Sequence, residues 1–249
     1  LKPVLTLKLL TLFVLLCLAC PKRAERAKPS TPQEALEQAL SDKKAKRFQK
    51  AEEGFTYLIF NFPGSAQAAD AQFYLADCYF ERKDYEQAQS EFDFYLKNFP
   101  NGRFQEEAAF KKAIAVFRSA PPPDKDQSNV FKAQELLNDF LEEYPESRFR
   151  DQVQNTLKEI QFRLVQREFD AARLYFKAGE YRSALIYYQF IKDNYPEVTW
   201  TETDRCQLAV CYFETDNKET ARLIFEELVS TAVSPRVKRI SQRYLNRLN

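Results

Sequence analysis

The chain has 249 residues, 45% of them hydrophobic and 29% charged, enough for a sizeable core and near the upper end for one compact domain. Lys and Arg (37) nearly cancel Asp and Glu (36), so no overall field draws the protein to nucleic acid or to an anionic bilayer, and no nucleic-acid partner is expected. His is absent, which removes the usual general base at neutral pH, the Ser/His and Cys/His nucleophile pairs and the commonest metal ligand; no enzyme activity, cofactor or metal site is expected. With 22 Phe and 13 Tyr against 4 Gly, the composition suits packed helices better than a turn-rich sheet protein.

In chain order, residues 1–19 read as a secretory leader. Lys2 and Lys8 supply positive charge, and Leu9 to Leu18 is an apolar run interrupted only by Thr11, shorter than the roughly 20 apolar residues of a membrane span. Ala19 is the small residue that cleavage needs, and Cys20 follows it. This ending resembles the bacterial lipoprotein signal, which implies acyl chains on Cys20; Cys17 stands where that pattern has Leu. Pro21, in place of Asp, implies the outer membrane by the sorting rule of enterobacterial lipoproteins. Residues 20–31, rich in Lys, Arg, Ala and Pro, read as a lipidated tether.

From residue 32 the chain repeats. Leu, Ala, Cys, Tyr, Phe and Glu recur at an offset of 133 between Phe73–Glu81 and Cys206–Glu214. Ala51, Ala88, Ala133, Ala184 and Ala221 each begin a frame with apolar residues at +4 and +7, and the first four copies add an aromatic at +11 followed by Pro63, Pro100, Pro145 or Pro196. That spacing is one face of a helix, and the proline stops it. A second small residue, Ala39, Ala76, Ala172 or Ala209, lies twelve residues upstream of its partner; in the third copy Ala113 lies twenty upstream, the excess being the loop around Pro121, Pro122 and Pro123. Each copy is therefore two helices joined by a tight turn, as at Lys177–Tyr181, where Gly179 is suited to a left-handed cap.

Residues such as Leu75, Ala76, Tyr79, Ala88, Phe92 and Pro100 resemble the tetratricopeptide repeat. The resemblance implies an all-α, right-handed α-solenoid of five helix pairs, at about 32–63, 66–100, 103–145, 148–196 and 199–232, with a capping helix at 235–248. Residues 150–177 contain no Pro or Gly and predict one long helix; Val237, Ile240, Tyr244 and Leu248 form the apolar stripe of the cap. A lipidated chain of five such repeats, with a proline-rich insertion in the third and a long helix opening the fourth, resembles the BamD family of outer-membrane β-barrel assembly lipoproteins. Glu168–Tyr181 carries the similarity best. The family implies a lipid-anchored scaffold on the periplasmic face of the outer membrane, binding the barrel-forming assembly subunit, other assembly lipoproteins and unfolded outer-membrane proteins. The alternative is a periplasmic adaptor for other envelope or peptidoglycan machinery.

In stacked helix pairs the first helices line the concave surface. Phe73 and Phe80, Phe110 and Phe117, Phe169 and Phe176 stand three before and four after the small residue, and Phe213 repeats the second position. These rings either line a peptide groove or pack between neighbouring helices as core. Asp77, Glu81, Arg118, Arg173 and Lys177 beside them either orient a peptide and its carboxylate or are solvated charges. Cys78 and Cys211 are expected to serve as small apolar packing; Cys206, five residues from Cys211, points elsewhere on the helix, which argues against a local disulfide or metal pair, although an oxidising compartment leaves a long-range disulfide open.

Overall fold

The computed structural model describes residues 28–248; the leader, Cys20 and most of the tether lie outside the described residues. The described chain is helical throughout: α1 (Pro32–Lys44), α2 (Phe48–Asn61), α3 (Ala66–Glu81), α4 (Tyr85–Asn98), α5 (Gln105–Arg118), α6 (Ser128–Glu143), α7 (Arg150–Lys177), α8 (Tyr181–Asn194), α9 (Glu202–Glu214), α10 (Lys218–Thr231) and α11 (Pro235–Leu248). Five helix pairs are followed by one final helix. The sequence suggests one array from residue 32 onward, whereas the chain divides after Ala71, within α3, into two compact units.

In the first unit, α1 is capped by Thr31, whose hydroxyl accepts from the Glu34 N–H at 3.2 Å. Ala39 and Ala51 are buried where α1 meets α2. The helices approach so closely that a Cβ on Gly54 would lie 2.9 Å from that of Ala39.

In the second unit consecutive helices stack on their sequence neighbours, and α11 covers α9 and α10. The second helix of each pair buries the small residue and the positions four and seven beyond it, as in Ala88, Phe92 and Tyr95 of α4 and Ala221, Phe225 and Leu228 of α10. These helices end where the sequence predicts. Phe99, Tyr144 and Tyr195 leave helical geometry before their prolines, each donating its N–H to the carbonyl four residues back, because the proline ring crowds a helical residue before it. The left-handed turn residue recurs at one repeat position: Lys46 in the first unit, then Lys83, Gly179 and Asp216, with φ of 55°, 66°, 79° and 66°.

Helix α7 is continuous over 28 residues, about 42 Å at 1.5 Å per residue. Val153, Ile160 and Leu164 belong to a core with Phe110, Val130 and Leu137, whereas Val165, Phe169 and Ala172 belong to the next, with Tyr188, Ala209 and Phe225. The proline insertion before α6 is held in place. The buried Gln127 amide donates to the carbonyls of Pro122 (2.9 Å) and Lys125 (3.0 Å), and Arg163 of α7 donates to Gln127 Oε1 (2.9 Å) and to the Pro121 carbonyl.

Candidate functional site

The phenylalanine stripe is resolved ring by ring. Phe73, Phe110, Phe117 and Phe169 are 2%, 8%, 3% and 2% exposed, so for these four the groove reading is corrected to core. Phe117 lies in the core with Val130 and Leu137; for the other three the reason lies in an inter-repeat turn that carries an aromatic four residues after its proline and lays it on the ring. Phe104 stacks on Phe73 (centroids 4.1 Å, 15°), Phe149 on Phe110 (4.5 Å, 9°), and Trp200 meets Phe169 edge-on (5.1 Å, 83°). Burying such a ring contributes about 1.5–3 kcal/mol, and an aromatic pair about 0.5–1.5 kcal/mol more, well above what a ring left in water provides. Phe80, Phe176 and Phe213 are half-buried. They pack edge-on against Tyr85, Tyr181 and Tyr244 at 5.7, 5.7 and 5.0 Å.

Most of the charged candidates are occupied within the fold. Asp77 is buried and accepts from Lys111 Nζ at 2.5 Å, and that ammonium also meets Glu107 at 2.8 Å. Arg173 makes a two-pronged bond to Asp204, Nε to Oδ1 at 2.8 Å and an Nη to Oδ2 at 2.7 Å, and reaches Asp170 at 3.0 Å. Asp204 is 1% exposed and also accepts from the Thr201 hydroxyl at 2.6 Å; its carboxylate raises the Arg173 pKa above the ordinary guanidinium value. These two pairs clamp neighbouring first helices together, which corrects the peptide-orienting reading of Asp77 and Arg173. Arg118 pairs with Glu159 through two bonds of 3.0 and 3.2 Å near the surface. Glu81 is exposed at the end of α3.

Lys177 differs. It is exposed and lines, with Phe176, a cavity of about 330 Å³ between the end of α7, α9 and α11; Thr203, Cys206, Gln207, Val210, Ser234, Arg236, Val237 and Ile240 complete the lining. Phe176, Val210, Val237 and Ile240 make the wall apolar. Among the described residues, Lys177 and the exposed Arg236 have no carboxylate within ion-pair distance, so the rim is positive. The volume falls in the lower range of ligand pockets, about 300–1,000 Å³. Burial pushes the Cys206 thiol up, which leaves a neutral, weakly polar wall. A second cavity, of about 380 Å³, lies one repeat earlier, where Phe117, Arg118, Pro123, Glu159, Phe162 and Arg163 meet. Its two cations are already bonded, Arg118 to Glu159 and Arg163 to the proline loop.

The family described as "Outer membrane lipoprotein", YfiO, matches residues 28–222. The chain belongs to this family. A curated relative in Aquifex aeolicus (strain VF5), named putative outer membrane protein assembly factor BamD, is 28% identical over 195 residues, 77% of this chain and 63% of its own length. Another, the outer membrane protein assembly factor BamD of Rickettsia prowazekii (strain Madrid E), is 22% identical over 156 residues, 63% of this chain and 61% of its own length. The chain thus spans about three-fifths of these relatives. Among solved structures, a tetratricopeptide repeat protein from Parabacteroides merdae is similar with a TM-score of 0.42 at 16% identity, covering 91% of this chain and 87% of that one. In this YfiO-family chain the positive cavity takes Phe176, Lys177, Thr203, Cys206, Gln207 and Val210 from within the matched residues, and Ser234, Arg236, Val237 and Ile240 from beyond them.

Arg236, Val237 and Ile240 were legible in sequence only as parts of an end cap, because periodicity places them on a helix but not beside Lys177. Phe104, Phe149 and Trp200 did carry a signal: each stands four residues after a repeat-ending proline, Pro100, Pro145 or Pro196.

Proposed function

We propose that the protein is a lipid-anchored scaffold of outer-membrane protein assembly, acting by binding and not by catalysis, and that its α7–α9–α11 cavity takes the aromatic end of an extended polypeptide. Membership in an outer membrane lipoprotein family and two relatives named as assembly factors support the role. The order of apolar run, Ala19 and Cys20 supports acylation of Cys20, and such an anchor would hold the chain at the periplasmic face. The observation that carries the cavity reading is the unpaired Lys177 and Arg236 over an apolar wall: a ring fits the wall, and two cations fit a terminal carboxylate. A charge-assisted bond of that kind is about twice as strong as a neutral one.

The test is titration of a fluorescent peptide ending in Phe with a free carboxylate against the same peptide amidated. Lys177→Glu with Arg236→Glu is expected to weaken the free acid at least tenfold, to leave the amide unaffected and to keep helicity. Equal affinity for acid and amide in the unaltered chain would remove the cavity from the reading. For the complex, extraction in mild detergent followed by mass spectrometry is expected to recover a large outer-membrane barrel protein with periplasmic domains. Recovery of cell-wall synthases instead would favour an adaptor of other envelope machinery.

A further inference from the structure

The turn between the two helices of a pair occurs at one repeat position, and the first differs in charge from the rest. The second turn reads Glu81, Arg82, Lys83, Asp84; the fourth, Lys177 to Glu180, and the fifth, Thr215 to Lys218, likewise mix signs. The first carries Lys43, Lys44, Lys46, Arg47 and Lys50 against Asp42, which is buried and bound to Arg47 at 2.6 Å. Lys44, Lys46 and Lys50 are exposed, and none has an ion-pair partner among the described residues. A turn with this excess of one sign is costly in self-repulsion unless a partner of opposite sign faces it.

The same unit receives the tether, and the chain is fixed close to its start. Tyr57 donates its hydroxyl to the Pro29 carbonyl at 3.2 Å, and Thr31 caps α1. Lys28 and Pro29 line one groove with Asp42, Lys50, Glu53 and Gly54, so the tether enters over the helices that carry the basic turn. Lys28 follows Cys20 by eight steps along the chain, a contour of at most about 28 Å. Lys22, Arg23 and Arg26 against Glu25 make that stretch positive too.

We infer that the α1–α2 turn of the first unit is a second membrane contact, lying on a bilayer surface that carries anionic phospholipid. The inference rests on the anchored reading, because the short tether keeps this unit next to the headgroups. Lysines act on an anionic surface only within about one Debye length, near 8 Å at physiological salt, a distance that a tether of this reach allows. The acyl chains supply residence and the turn supplies orientation.

The experiment uses the mature chain with Cys20→Ser, residues 20–249, in flotation with vesicles of phosphatidylcholine alone or with 30% phosphatidylglycerol. Binding only to the anionic vesicles, lost in 0.5 M salt, is expected. Lys44→Glu, Lys46→Glu and Lys50→Glu together should cut it about a hundredfold, each lysine contributing a factor of about five, with helicity unchanged. No preference for anionic vesicles, or a preference that survives the triple reversal, overturns the inference. Mass spectrometry of Cys20 in the membrane-extracted protein tests the anchor separately, so failure of the anchored reading and failure of the turn are told apart.

Discussion

The junction between α5 and α7 and the junction between α7 and α9 use one plan to different ends. In both, a first-helix phenylalanine is covered by the aromatic four residues after a repeat-ending proline, Phe110 by Phe149 and Phe169 by Trp200. In both, an arginine crosses to a carboxylate on the next first helix. Arg118 and Glu159 keep 45% and 49% of their side-chain surface in water, whereas Asp204 under Arg173 keeps 1%. The position five after the small residue is neutralised as Arg118 in the earlier junction and unpaired as Lys177 in the later one. Ring packing is thus common property of the repeats, while the ion pairs decide which junction is locked and which cavity stays positive.

The largest effects should come from what the junctions share. Phe110→Ala and Phe169→Ala are each expected to cost about 3–5 kcal/mol in urea unfolding; a loss under about 1 kcal/mol at either would return that ring to the surface. Arg173→Ala should cost a similar amount, about 3–5 kcal/mol, because it strands a buried carboxylate. Arg118→Ala should cost at most about 1 kcal/mol, as exposed pairs do. Equal losses for the two arginines would abolish the distinction drawn between the junctions.

The smaller effects concern turns and protons. Gly179→Ala is expected to lower stability by about 1 kcal/mol, whereas Lys83→Gly should leave it unchanged or raise it by up to about 1 kcal/mol, since a left-handed residue with a Cβ is strained. Thermal midpoints of the two variants check both. Burial pushes the Cys211 thiol up to about 12 from its usual 9. The folded chain therefore holds a proton that the unfolded chain releases, and stability should fall as pH rises from about 9 to 12. Cys211→Ala should flatten that fall in melting curves taken across the window.

The helix pairs were legible because alanine at a fixed place, apolar residues at +4 and +7, and aromatic-proline stops all report the same helical face. The fate of the phenylalanines was not, since a period of 3.6 says which residues share a face but not what comes to cover it; Phe104 arrives on Phe73 from a loop 31 residues away. Gly179 announced its left-handed turn by its chemistry. Lys46 and Lys83 hide theirs, because the flanking helices impose a conformation that lysine does not favour, while Asp216 has a side chain that tolerates it. The Arg173–Asp204 clamp spans two helices and leaves no local trace.

Helix α7 ends one core at Leu164 and begins the next at Val165. In an array whose units touch only through side chains, a terminal repeat can open while its neighbours stay shut. A backbone ladder running through two cores removes that freedom, since fraying α7 from either end exposes the apolar surface of one core and weakens the lever that holds the other. Amide hydrogens of the third and fourth repeats should then exchange as one cooperative block. A pull applied to either repeat would reach the other through a rigid rod, so the middle of this protein behaves as a splint.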